Sequence, residues 1–169
     1  SDAKGKAQIL NEQYTSVFNP LDSQAPEVGP TDHPTLPPIK VTEEGVQKML
    51  KNLNTNKAAR PDLISPRLLN ELATELAPVL THLFQATIDT GTIPHQWKSA
   101  NVSPVFKKGD RSKPANYRPV SLTAVCCKLN EHIIAKAIMN HLEEHGILSD
   151  MQHGFRRARS CETQLVTFI

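Results

Sequence analysis

Six of the chain's 13 prolines fall within residues 19–38 (Pro20, Pro26, Pro30, Pro34, Pro37 and Pro38). Each one removes a backbone donor and fixes φ, so no regular helix or sheet can run through this stretch. The 169 residues therefore divide into an N-terminal segment (1–18), a Pro-rich linker (19–40) and one compact region (41–169). Ahead of the linker, Ala7, Leu10, Tyr14, Val17 and Phe18 form a helical stripe, which predicts an amphipathic helix over 3–18. So short a helix needs a partner surface.

The compact region reads as mainly helical. Thr42 is placed as an N-cap, with Glu43 and Glu44 in the first turn and Val46, Met49, Leu50 and Leu53 on one face. A loop over 54–64 leads to Ser65-Pro66, an N-cap followed by proline at the first helical position. The apolar pattern from Leu68 to Ile88 predicts a helix ending at Gly91, with a break or kink at Pro78. The period then changes. Ala100–Phe106 alternates and carries Val102 and Val105, Lys107–Asp110 has turn chemistry, and Tyr117–Leu122 can return as a second strand. A longer helix carries Leu129, Ile133, Ala137 and Leu142 inward and stops at Gly146, a loop spans 147–159, and another helix starts at Cys161. The fold class is α+β, a helical region with a short antiparallel β-hairpin. Leu83, Phe84, Trp97, Ile133 and Leu142 are the expected core.

A hydrophobic fraction of 38% supports one modest core. No stretch nears the ~18 apolar residues of a membrane span, and the first residues lack a signal-peptide pattern. Three cysteines, with Cys126 and Cys127 adjacent, make no disulfide framework; they favour a reducing, intracellular setting and a buried, small-hydrophobe role for the pair.

The net charge of +2 conceals two basic clusters. Residues 98–118 hold Lys98, Lys107, Lys108, Arg111, Lys113 and Arg118 against Asp110 alone, and residues 151–160 hold Arg156, Arg157 and Arg159 with no acid. Such clusters on a nearly neutral chain suit a polyanion, although solvated loops look the same by composition. His141, Glu144 and His145 match an H-x-x-E-H pattern, but they sit in a last helical turn with no third ligand, so no metal is assigned to them. No dinucleotide, P-loop or nucleophile-elbow motif occurs. On the hairpin, Lys107 and Arg118 combine a point charge with a planar fork, which is what a triphosphate clamp requires.

Four blocks follow one another along the chain: N-K-A-x-x-P-D-x-I (Asn56–Ile64), W-K-x-A-N-V-x-P-V-F-K-K-G-D (Trp97–Asp110), N-Y-R-P-V-S-L (Asn116–Leu122), and Q-H-G-F-R (Gln152–Arg156) with R-S-C-E-T-Q-L (Arg159–Leu165). Their order and spacing resemble the N-terminal portion of reverse transcriptases from non-LTR, LINE-type retrotransposons, over residues 41–169 and more weakly over 1–38. The resemblance implies the fingers subdomain of a right-hand polymerase whose activity is RNA-templated DNA synthesis, a nucleotidyl transfer. It implies triphosphate contacts for Lys107 and Arg118, and nucleic-acid contacts for Lys108, Arg111, Gln152, Gly154, Arg156, Arg157 and Arg159.

The implied partners are an RNA template, a DNA primer, a deoxynucleoside triphosphate and the palm and thumb of the same parent chain, with no membrane. The implied cofactor is Mg²⁺, held in the parent enzyme by an aspartate of the first palm strand and a Tyr/Phe-x-Asp-Asp turn. Neither occurs in these 169 residues, so the expectation is that this polypeptide binds no metal and does not polymerise alone. Where the family usually has Gly-Pro-Asp-Gly, this chain has Arg60-Pro61-Asp62-Leu63, which removes φ freedom from a tight loop. Two other classes fit the same residues: a noncatalytic nucleic-acid-binding module, and a helical interaction scaffold.

Overall fold

The computed structural model describes residues 2–18, 29–57 and 61–167; Pro20, Pro26 and Arg60 lie outside them. Helix α1 (Ala3–Ser16) starts where the Asp2 side chain accepts from the Gly5 amide. Helix α2 (Glu43–Lys51) starts the same way, with Thr42 accepting from Gly45. Its last carbonyls, on Leu50 and Lys51, are taken by the Asn70 side chain at 3.1 and 2.7 Å, which satisfies acceptors that a helix end leaves open. Gln85 fastens the entry to the compact region, accepting from the Val41 amide at 2.9 Å and donating to the Ile39 carbonyl at 3.1 Å.

Ser65 caps helix α3 (Pro66–Glu71), and α4 (Ala73–Thr90) follows directly. The break expected at Pro78 lies instead at Leu72, with φ −95° and ψ 26°, and Pro78 is inside α4. The physical reason is exposure: Pro78 and Thr74 both face water, so the Thr74 carbonyl that loses its amide partner four residues on stays hydrated. Gly91 ends the helix with φ +64°.

Val46, Leu50 and Phe84 are the largest fully buried side chains. Around them pack Leu69, Ala73, Ala77, Leu80, Trp97 and the first turns of α5 (Val125–Glu144), including Cys126, Cys127 and Leu129. Leu83 and Ile133 flank this cluster half-buried. Leu142 is outside it and half-buried: the fully buried residues of α5 end at Asn130, and its second half meets the linker and the loop beyond it through His141 and Glu143. Burial pushes the Cys126 and Cys127 thiols up to about 11, so both are protonated near neutral pH. One buried polar link crosses the core: Asn130 donates to Thr87 Oγ1 at 2.9 Å, and Thr87 donates to the Phe84 carbonyl at 2.7 Å.

Strands β1 (Asn101–Phe106) and β2 (Tyr117–Leu122) form the antiparallel hairpin, with Val105 opposite Arg118 and Pro104 opposite Pro119. Helix α1 finds its partner surface here. It packs on the short turn at 114–116, and burial, with the nearby Tyr117 as a second cause, holds the Tyr14 phenol above its ordinary range. After α5, a loop leads to α6 (Cys161–Thr167). Among the described residues no helix is long and apolar enough to cross a membrane.

Leu63 occupies the left-handed region with φ +59° and is 83% exposed. It stands where the resembled family has the second glycine of Gly-Pro-Asp-Gly, so the loop holds a glycine-type backbone with a leucine in it. Asp62 accepts from the Ile64 amide at 3.1 Å and closes that turn. Left-handed backbone costs a leucine roughly 1–2 kcal/mol, and glycine's extra chain entropy returns part of that. Leu63→Gly is therefore expected to stabilise the chain by about 0.5–1 kcal/mol, read as a higher midpoint in urea; an unchanged or lower midpoint would refute the strain.

Candidate nucleotide and nucleic-acid interface

The hairpin offers two faces. The Lys107 amide donates to the Asn116 carbonyl at 2.9 Å, extending the ladder one step beyond the strands. Side chains alternate along a strand. Lys107, Val105 and Ser103 therefore share one face with Asn116, Arg118 and Val120, while Phe106 and Tyr117 lie on the other. Lys107 and Arg118 are diagonal neighbours, a relation that places residues roughly 7–8 Å apart. Both are exposed. The Phe106 and Tyr117 rings meet at 5.5 Å on the second face.

The turn between the strands is held by its own polar groups. Asp110 Oδ1 accepts from the Ser112 amide and hydroxyl, each at 2.8 Å, and the Asp110 carbonyl accepts from the Asn116 side chain at 2.8 Å. Those two bonds, the amide first, hold the Asp110 carboxyl below its usual value. The one acid of this cluster is thereby engaged by neutral donors, and among the described residues no ion pair involves Lys107, Lys108, Lys113 or Arg118. Gly109, at φ +89°, is required: a Cβ there would stand 2.9 Å from the Asn116 amide nitrogen. Arg111 differs from the other cations, because its guanidinium lies 4.5 Å from the centre of the Phe106 ring. Its carbonyl accepts from the Tyr117 hydroxyl at 2.9 Å.

The second basic cluster is built differently. Arg156 grips Glu143 at the end of α5 in a two-pronged pair, Nε to Oε1 at 2.8 Å and Nη2 to Oε2 at 2.7 Å. It also donates to the Ser149 carbonyl at 2.9 Å, and its side chain is 9% exposed. Arg159 donates to the Asp150 carbonyl at 2.9 Å and to its carboxylate at 3.2 Å. Arg157 and Gln152 are exposed, and nothing lies within 4 Å of where a Cβ on Gly154 would be.

His153 passed unnoticed in the sequence and is the buried hub of this loop, 5% exposed. Its Nδ1 meets Thr163 Oγ1 at 2.8 Å and its Nε2 meets Arg159 at 3.4 Å. The Thr163 hydroxyl gives its hydrogen to the Ser160 carbonyl at 2.9 Å, so at the shorter contact Nδ1 donates and Thr163 Oγ1 accepts. A lone histidine between Gln152 and Gly154 gives no signal of such a role. The His141 and His145 rings meet edge-on at 4.5 Å, and His141 contacts the Pro34 carbonyl at 2.9 Å, tying the linker to α5. Among the described residues no group of three or more His, Cys, Asp or Glu is placed to hold a metal ion.

A cationic hairpin and a basic loop on a helical body, carrying four ordered blocks, agree with what sequence comparison finds: the chain belongs with the RNA-directed DNA polymerases of transposons. It is 33% identical over 121 residues, 71% of its length, to the probable RNA-directed DNA polymerase from transposon X-element of Drosophila melanogaster. It is 29% identical over 155 residues, 91% of its length, to that from transposon BS, and 29% identical over 132 residues, 78% of its length, to the RNA-directed DNA polymerase from mobile element jockey, both of the same organism. The matches span only 13%, 16% and 14% of these three relatives. No family model matches the chain.

Proposed function

We propose that this chain is the fingers part of a non-LTR, LINE-type retrotransposon reverse transcriptase and presents two cationic surfaces to the substrates of RNA-templated DNA synthesis. The observation that carries the proposal is the pairing of Lys107 and Arg118 on one exposed face of the hairpin, with the neighbouring acid turned to other donors. In this reading the Arg118 fork and the Lys107 ammonium hold the triphosphate of an incoming deoxynucleotide. Lys108, exposed in the turn, extends the cationic track beside it, while Arg111, held over the Phe106 ring, offers its charge on the opposite face. The loop at 151–160 follows the backbone of the template strand, where phosphate contacts set position without reading sequence.

Within that loop the arginines divide the work. Arg156 and Arg159, already spent on Glu143 and Asp150, hold its shape; Arg157, Gln152 and the bare backbone at Gly154 touch the strand. The divalent metal of phosphoryl transfer, Mg²⁺, needs converging carboxylates. The acids beside these surfaces do not fit that need, since Asp110, Glu143 and Asp150 are each engaged by another residue. The metal ligands, the primer contacts and catalysis are therefore assigned to parts of the polymerase that this chain does not span, and the chain alone does not polymerise.

Binding of a primer–template measured across a salt series tests the proposal. Lys107→Ala with Arg118→Ala is expected to abolish any tightening by added deoxynucleotide, whereas loss of the strand contact in Arg157→Ala is expected to flatten the slope of log K against log salt by about 1. A nucleotide response equal to that of the unaltered chain would exclude Lys107 and Arg118 from the site.

A further inference from the structure

We infer that the Phe155 ring is a stacking platform for one unpaired base of a bound nucleic-acid strand. This rests on the reading that the loop at 151–160 follows such a strand, and adds to it the one side chain there that would touch a base rather than a phosphate.

Two unfavourable features meet at Phe155. Its side chain is fully exposed, at 101%, and its backbone is left-handed, with φ +62°. A bulky residue rarely adopts that conformation, and persists in it only where its surroundings over-determine it. Here they do. On one side His153 is buried against Thr163, and on the other Arg156 is clamped to Glu143 and the Ser149 carbonyl. The loop is gripped on both sides of Phe155, and the ring is held out into solvent between the grips.

The surroundings decide what the ring is for. Along the chain Phe155 is flanked by Gly154, Arg156 and Arg157, so the ring stands in a run of cations rather than in an apolar run. Arg157 is exposed and makes no ion pair among the described residues, while the nearest acid in sequence, Asp150, is held by Arg159. One bare aromatic face beside one free guanidinium is the pairing used to bind single strands: the base stacks on the ring and the cation meets the phosphate. Stacking of this kind tolerates any base, as a template contact must.

The test is fluorescence anisotropy of the whole chain with a single-stranded oligonucleotide of about ten nucleotides, and with an abasic strand of equal length. Phe155→Ala is expected to weaken the base-bearing strand by about 5- to 100-fold while leaving the abasic strand unchanged. Phe155→Trp is expected to restore binding, with tryptophan emission quenched by the base-bearing strand alone. Arg157→Ala should weaken both strands equally. If Arg157→Ala weakens binding and Phe155→Ala does not, or if Phe155→Ala weakens both strands alike, the stacking role is refuted while the strand-binding loop stands. If neither strand binds the unaltered chain at low salt, or Arg157→Ala has no effect, the loop reading fails and the stacking role fails with it.

Discussion

Phe84→Ala is expected to destabilise the chain by about 3–5 kcal/mol, the usual cost of emptying an aromatic site in a close-packed core. Phe84 has 0% exposure, lies on α4 among residues of α2 and α5, and meets the Trp97 ring at 5.9 Å. Truncation removes the ring's transfer free energy and leaves a void that three helices cannot all close upon. Against a typical total stability of about 5–15 kcal/mol the loss is large enough to unfold much of the population. Trp97 is the single tryptophan, so its emission in a urea titration reports this site directly. A midpoint shift worth less than about 1 kcal/mol would show that the cluster is looser than its burial indicates.

Arg156→Ala is expected to release the loop at 149–156 without unfolding the core. The guanidinium is the loop's tie to α5, and its loss leaves Glu143 without its two-pronged donor and the Ser149 carbonyl with the Gln152 amide alone. Amide exchange across 149–156 should accelerate on the order of tenfold while α2 and α4 keep their protection. Arg156→Lys should rescue little, since an ammonium cannot reproduce the two-pronged geometry. The same pair makes the loop acid-sensitive. The hydrogen bond from Arg156, chiefly, holds the Glu143 carboxyl below its ordinary value. A carboxylate depressed in this way contributes fully above its unfolded pKa, and the contribution is lost as pH falls through the folded one. Loop protection should therefore be level near neutrality and fall below about pH 4.5, the ordinary glutamate range. In Arg156→Ala that pH dependence should vanish.

Local chemistry made most of the fold legible. Thr42, Ser65 and Gly91 act through groups one turn away, so the ends they mark are where the sequence puts them. The hairpin was readable because its pattern changes period and its turn is polar. What escaped depends on tertiary surroundings. That Pro78 stays inside α4 follows from which face of α4 meets water, and Leu142 was misplaced because apolar periodicity does not say how far along a helix the buried cluster reaches. The same limit holds at the two cationic surfaces. The sequence put Lys107 and Arg118 on one hairpin, with Lys107 in its turn; the register that gives them a shared face came from the structure. Sequence alone could not show that Arg156 and Arg159 are occupied by acids 13 and 9 residues away, nor that His153 is buried beside Arg159.

The facing prolines of the hairpin have an outcome for how the chain associates. The hydrogen bond between Lys107 and Asn116 fixes which residues of the ribbon point their amides inward, and by alternation Pro104 and Pro119 occupy positions whose amides would point outward. The ribbon loses no internal bond, yet each of its outer margins lacks a donor at mid-strand. A third strand, whether from another copy or from another protein, meets a gap on either side. The hairpin can thus leave both margins in water without seeding fibrous assembly.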